Sequence, residues 1–252
     1  ADSAALTFGF PGLFSGLWEV RDFSAGVAWQ FDEETTRVYS DDIAMGYGPE
    51  SRLTGAFDLK LVANGEDELS LKVGVEDGRA DMLAEFVPAG LVDRGLYDWL
   101  TTAIEEADIV QGTYFGHGQI GRDAPPGSFV SSMFYDFNNA TVKYDERWPE
   151  VTGASGRVFV HQGRTRVDLA TGQTGGIELK PGQVRVEPGD GAESTMVYID
   201  AAAPVSGDAL AYWMQRSPLG ELAGDASEKL VVEGRFYLDL GLGIALDSNQ
   251  QP

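Results

Sequence analysis

The sequence predicts a mainly β protein with two helices, an α+β chain built on long, twisted antiparallel strands. Three observations carry this. Glycine is abundant, at 32 of 252 residues, and turns, bulges and strands use glycine where long helices do not. In the stretch SFVSSMFYDFNNATVKYDERWP, residues 128–149, Phe129, Met133, Tyr135 and Phe137 share one parity, and Ser132, Phe134, Asp136 and Asn138 the other. That is a strand with one apolar face. In residues 235–246, Phe236, Leu238, Leu240, Leu242, Ile244 and Leu246 alternate with Arg235, Tyr237, Asp239, Gly241, Gly243 and Ala245. At about 3.4 Å per residue this apolar stripe runs about 34 Å.

Along the chain, Pro11-Gly12 marks a turn, and residues 18–31 read as a strand with aromatic spacing. Residues 37–47 form a weaker strand broken at Asp41-Asp42. Leu53, Phe57, Leu59 and Leu61, then Leu69, Leu71, Val73 and Val75, form a hairpin with one apolar face around Asn64-Gly65. Residues 92–107 read as a helix, because Leu91, Leu96, Trp99, Leu100, Ala103 and Ile104 recur near a 3.6-residue period. Glu105-Glu106 then fall at its C-terminus, which the helix dipole disfavours. Residues 109–120 are the next strand, and DAPPG at 123–127 is a turn.

The strand at 128–149 follows, about 17 residues long against a usual 5–6. Asn138-Asn139 shifts its phase as a bulge would, so that Ala140, Val142 and Tyr144 become the apolar set. Trp148-Pro149 ends it, since proline cannot donate to a ladder. Strands follow at 156–170, 176–180, 183–187 and 195–201, separated by Thr171-Gly172, Pro181-Gly182 and Pro188-Gly189. A second helix spans 207–215, and its Tyr212-Trp213-Met214 echoes Tyr97 to Leu100 of the first. Trp99 and Trp213 are assigned to helix packing, and the order strands, helix, strands reads as a weak internal repeat.

Several chemistries fail on spacing. With no cysteine, disulfides, thiolate nucleophiles and cysteine-bound zinc are excluded. A net charge of -22 repels nucleic acid and anionic membrane surfaces, and reads first as a solvated acidic surface. No stretch reaches the roughly 18 apolar residues of a membrane helix. Gly116 to Gly121 matches a dinucleotide fingerprint, but Asp123-Ala124-Pro125-Pro126 forbids the helix that would meet a pyrophosphate. His117 and His161, the two histidines, have no nucleophile elbow and no HExxH pattern, and read as surface or ladder residues. Asp32-Glu33-Glu34 and residues 190–193 lack EF-hand spacing. No cofactor or metal is expected. A carboxylate pair acting on polysaccharide stays open, because its geometry is set by the fold. What survives is the apolar parity of the long strands, as a sealed core or as a groove for an apolar ligand; pattern alone favours the core.

The ordered set Phe86-Val87-Pro88, Leu96-Tyr97-Asp98-Trp99-Leu100, residues 109–118, residues 129–144 and Arg147-Trp148-Pro149-Glu150-Val151 resembles the YhdP family of AsmA-like proteins. The likeness covers about residues 84–170. The chain departs from the pattern in carrying Phe-Val-Pro where the family has a tyrosine version, and in its acidity. The resemblance implies repeating β-grooves with an apolar floor, anchored in the inner membrane of Gram-negative bacteria, extending through the periplasm and moving phospholipid from the inner to the outer membrane. The chain starts at Ala1 and lacks an anchoring helix, which is expected of a middle segment of a longer protein. It is expected to be one segment, 1–252, divisible into sub-repeats 1–127 and 128–252, with neighbouring segments of the same chain as partners.

The expectation is therefore a non-catalytic segment of a lipid conduit, with strands curled into an open groove that shields acyl chains of phospholipid or a similar ligand. Phe129, Met133, Tyr135, Phe137, Val142, Leu238, Leu240, Leu242 and Ile244 are the expected lining. The alternatives are a sealed β scaffold or interaction domain of the envelope, and a polysaccharide hydrolase.

Overall fold

The structure, a computed structural model, describes residues 1–9, 16–86, 94–121, 123–188, 195–223 and 233–246. The expected features at Pro11-Gly12, Val87-Pro88, 91–93, Gly189 and 190–193 lie outside the described residues. The strands are β1 (Asp2–Phe8), β2 (Trp18–Ser24), β3 (Ala28–Phe31), β4 (Thr35–Tyr47), β5 (Ser51–Val62), β6 (Asp67–Arg79), β7 (Ile104–Ile120), β8 (Phe129–Val142), β9 (Val151–His161), β10 (Arg164–Thr174), β11 (Ile177–Leu179), β12 (Gly182–Glu187), β13 (Thr195–Ser206) and β14 (Arg235–Leu246). The helices are α1 (Leu83–Phe86), α2 (Arg94–Ala103), α3 (Gly207–Gln215) and α4 (Pro218–Ala223), with a 3₁₀ turn at Ala80–Met82.

All strands join one open sheet in the order β1-β2-β4-β5-β6-β7-β8-β9-β10-β12-β13-β14, with β3 added to β4 and β11 to β10. β1 and β14 are its edges, so it does not close into a barrel. The chain clusters into two compact units. The first holds Ala1–Gly78, Ile109–Tyr135 and Phe159–Gln162; the second holds Arg79–Asp108, Asp136–Val158 and Gly163–Pro252.

In the first unit, β4, β5 and β6 pair antiparallel with Met45, Leu53 and Val75 on one row, then Ile43, Gly55 and Val73, Ser40, Phe57 and Leu71, and Val38, Leu59 and Leu69. Period-2 alternation puts all of these on one face. The opposite face carries Arg37 against Asp58 and Lys60 against Glu68. The register of β4 shifts between Ser40 and Ile43, where Asp41-Asp42 interrupts the alternation.

In the second unit, antiparallel β10, β12, β13 and β14 place Val167, Val184, Ile199 and Leu242 on one row and Thr165, Val186, Val197 and Ile244 on the next. The other face holds Arg185 against Asp200, Gln183 donating to Asp168 at 2.8 Å, and the Arg185 guanidinium 5.1 Å from the Tyr198 ring centre. Helices α3 and α4 lie at the far end of this apolar face. Trp213, Leu210 and Leu219 pack with Ala203, Val205, Phe236, Leu238 and Leu240. The Ser206 hydroxyl caps α3 by accepting from the Ala209 amide at 3.3 Å.

Several expectations are corrected. The helix expected at 92–107 ends at Ala103, and Glu105-Glu106 stand exposed in β7. The ladder explains this: the Lys143 amide donates to the Ala103 carbonyl at 2.8 Å, drawing the chain into strand pairing. The 17-residue strand is β7, while β8 has 14 residues. Residues 18–31 split into β2 and β3: the β1–β2 ladder runs out at the Ala1–Ala25 rung, and the Gly26 amide then donates to the Asp42 side chain instead of to a ladder. Residues 156–170 are two strands, β9 and β10, turning at Gln162 (φ 48°) and Gly163 (φ 79°). Two central residues with positive φ are what a type I′ hairpin turn needs. β1, α1 and α4 complete the described elements beyond those expected. α3 spans Gly207–Gln215 and β14 spans Arg235–Leu246, both at the expected bounds.

Candidate functional site

Each unit carries an apolar sheet face whose side chains are mostly half-buried. In the first unit Phe57, Leu59, Leu69, Leu71, Val73 and Val75 are half-buried, and Leu53 alone of the three β4–β6 strands' apolar set is buried, at 6%. Trp29 and Phe31 of β3, paired with Val38 and Thr36, extend this face and remain 63% and 72% exposed.

Strand β7 shapes the floor beside them with glycine. A Cβ on Gly112 would run into the Tyr135 ring and lie 2.9 Å from Val75, and one on Gly116 would lie 2.7 Å from the Phe129 ring. The absent side chains let both aromatic rings lie across β7. This puts Tyr135 and Phe129 on the face that holds Val75. Burial raises the phenol pKa of Tyr135, with neighbouring Tyr114 adding to the shift. Burial also raises Tyr114, opposed by its hydrogen bond with Ser131. The Tyr135 hydroxyl points along its own strand and donates to the Met133 sulfur at 3.7 Å.

In the second unit Val167, Leu169, Val184, Val186, Val197, Ile199, Leu242 and Ile244 are all half-buried. At the helix-covered end Val205 (2%), Ala203 (5%), Ile177 (6%) and Trp213 (9%) are buried; elsewhere in the unit the buried hydrophobic residues are the alanines Ala103, Ala107, Ala140 and Ala154. Leu238 and Leu240 pack against that end, while Leu242 and Ile244 lie beyond the cluster. Thus the expected β14 lining divides between positions packed against the helix-covered cluster and positions outside it. Phe129, Met133, Tyr135, Phe137 and Val142 are half-buried along β8. Asn139, where the sequence predicts a phase shift, has φ 52° and donates to Asp108 at 2.7 Å. Trp99 donates its indole N–H to the Tyr144 carbonyl at 3.2 Å, and burial raises the Tyr144 phenol to about 12.

The lining on β10, β12 and β13 was not among the expected site residues, although Val184-Arg185-Val186 and Val197-Tyr198-Ile199 alternate in the sequence. Short strands give short patterns, and only register joins them to β14.

The polar face carries two serine–histidine pairs. Ser70 and His117 Nδ1 lie 2.9 Å apart, and Ser132 and His161 Nδ1 2.7 Å apart, as cross-strand pairs. Asp58, directly opposite Ser70, is held by Arg37, whose hydrogen bond lowers the carboxyl pKa. Gly116 to Ile120 lie in strand β7. Gly118 (φ 143°) has the Ser128 carbonyl oxygen where a Cβ would stand, so this glycine serves close backbone approach. No group of three or more metal-binding side chains occurs among the described residues.

The family model described as YhdP protein matches residues 1–252. The chain belongs to the YhdP family. No curated protein and no solved structure matches. Membership of the YhdP family suggests a role related to lipid transport, and it extends the likeness seen at residues 84–170 to the whole chain. Among the described residues no helix is long and apolar enough to cross a membrane.

Proposed function

We propose that this chain is a non-catalytic segment of an envelope-spanning lipid conduit. Its apolar sheet faces shield the acyl chains of phospholipid, or of a similar ligand, during passage from the inner to the outer membrane. The setting is the periplasm of a Gram-negative bacterium, within a longer protein anchored in the inner membrane, with neighbouring segments of the same chain as partners.

One observation carries the reading. The in-register rows of Val167, Val184, Ile199 and Leu242 and of Val186, Val197 and Ile244 are half-buried, whereas a sealed core drives such residues to near-zero exposure. An acyl chain needs only continuous apolar surface, worth about 0.8 kcal/mol per CH₂ removed from water. No reacting group is required, and lipids can slide along such a surface without specific contacts. The polar face, with its paired charges, stays in water.

The test is native mass spectrometry of the purified chain, coupled to photocrosslinking from a benzophenone side chain at Leu242 or Phe57. Co-purifying phospholipid that crosslinks at both positions supports the reading. A lipid-free protein that refuses added phospholipid and yields no adduct refutes it.

A further inference from the structure

The second unit contains an open pocket of about 640 Å³ that the apolar face does not use. Lys143, Glu150, Thr152, Thr174, Tyr212 and Arg216 line it. The chain as a whole has 40 acidic and 18 basic residues, yet here two cations face one carboxylate.

Those cations are also uncommitted. Most described arginines are held by a carboxylate, as Arg157 is by Asp136 and Arg147 by Asp145. Lys143 and Arg216 have no such partner among the described residues. The Arg216 guanidinium lies 4.4 Å from the Tyr212 ring centre. Stacking fixes the plane of the guanidinium and leaves its N–H edge free to donate.

The opposite wall is built from packed structure. The Thr174 hydroxyl accepts from the Trp213 indole N–H at 3.4 Å and donates to the Pro149 carbonyl at 3.2 Å. Gly175 (φ 54°) turns directly over the Trp213 ring, where a Cβ would come within 2.9 Å. Trp213 itself is 9% exposed and packs on Trp148 with ring centres 5.4 Å apart. The pocket therefore has a rigid wall and a cationic rim.

We infer that this pocket binds a zwitterionic phosphate ester, with the phosphate oxygens on Lys143 and Arg216 and the ester's ammonium on Glu150. Guanidinium and ammonium donors match phosphate oxygens through charge-assisted hydrogen bonds. The carboxylate repels a bare phosphate and offers a partner to a cation attached to it. Such a group reaches the pocket either as the head of a lipid or as a soluble ester. Only the lipid source rests on the acyl-chain reading above.

The test is an NMR titration of the 252-residue chain, reading the Gly175 and Gly176 amides and the Trp213 indole N–H. The probes are phosphoethanolamine, inorganic phosphate and monomeric dihexanoyl phosphatidylethanolamine. The expected result is saturable shifts at these resonances with the ester probes, weaker with inorganic phosphate. Charge reversal by Lys143→Glu with Arg216→Glu, both exposed positions, weakens ester binding at least tenfold. The milder Lys143→Gln with Arg216→Gln serves if the reversal perturbs the fold. Glu150→Gln narrows the preference for phosphoethanolamine over phosphate.

Binding of the short-chain lipid alone, still dependent on both cations, supports the site with a lipid head as its source. Equal binding of the soluble ester supports the site with a free ester as its source, even if no acyl chain ever binds the sheet. Absence of shifts with either ester, or shifts unchanged in both charge variants, overturns the inference and leaves the apolar face untouched.

Discussion

The pair Leu242→Asp and Val205→Asp separates an open apolar face from a sealed one. Both residues point to the same face, Leu242 opposite Ile199 and Val205 opposite Phe236. Val205 is 2% exposed beneath the helices, and Leu242 is half-buried outside their cluster. Fully burying a leucine or valine side chain is worth about 1.5–3 kcal/mol, so a half-buried leucine contributes about 1 kcal/mol. A carboxylate at position 242 keeps access to water, and the total cost is about 1–2 kcal/mol. At position 205 the same carboxylate is unpaired and dry. The lost valine and several kcal/mol of desolvation together approach the stability of a whole domain, about 5–15 kcal/mol.

The assay is urea denaturation followed by far-UV circular dichroism, with binding of a fluorescent acyl-chain probe measured on the same samples. Leu242→Asp is expected to fold and to lose about 50-fold in probe affinity. That figure corresponds to about three CH₂ contacts at about 0.8 kcal/mol each, with about 1.4 kcal/mol per tenfold change. Val205→Asp is expected to unfold. If Leu242→Asp unfolds the chain as Val205→Asp does, the face is sealed and the reasoning fails. It fails equally if Leu242→Asp binds the probe with wild-type affinity.

Other consequences follow from particular contacts. Gly118→Ala drives a Cβ against the Ser128 carbonyl at a left-handed φ, and should lower stability by more than about 2 kcal/mol, read as a lower urea midpoint at unchanged slope. Ser206→Ala removes the cap of α3 and should cost about 1 kcal/mol; an unchanged midpoint would show that the cap contributes nothing. Burial raises Tyr144 from 10.0 to about 12, so the unfolded chain releases this proton first as pH rises. The contribution is complete below pH 10 and is lost between about pH 10 and 12, amounting to about 2–3 kcal/mol. Stability measured across that window should fall less steeply in Tyr144→Phe, and identical slopes would contradict the assignment.

Much of the architecture was legible because strand periodicity is a local property. Each residue's face is set by its neighbour's, so the parities of Phe129 to Phe137 and of Phe236 to Ile244 could be read without knowing any partner strand. The phase shift expected at Asn138-Asn139 rests on the same local parity, and the structure places a positive-φ residue there, Asn139. Where local signals are weak or compete, the reading failed. Gln162-Gly163 turns the chain, but glutamine is not a residue that announces a left-handed turn. Ile104 to Ala107 continue the helix expected from the spacing of α2, and it is pairing of Ala103 with Lys143, distant in sequence, that makes them strand.

The family likeness, too, rested on ordered local motifs, and so was present in the sequence. What the sequence by itself determined was the strands, their apolar parities and the absence of any thiol chemistry. Only the tertiary structure decided whether those parities are covered. An apolar row is core or open surface according to what packs on it, and α3 and α4 cover Val205, Leu238 and Leu240 while leaving Leu242 and Ile244 outside their cluster. The same holds for the pocket. Lys143 and Arg216 are unremarkable in their own segments, and it is the packing of α3 beside the β10–β11 turn that brings the two charges to one rim.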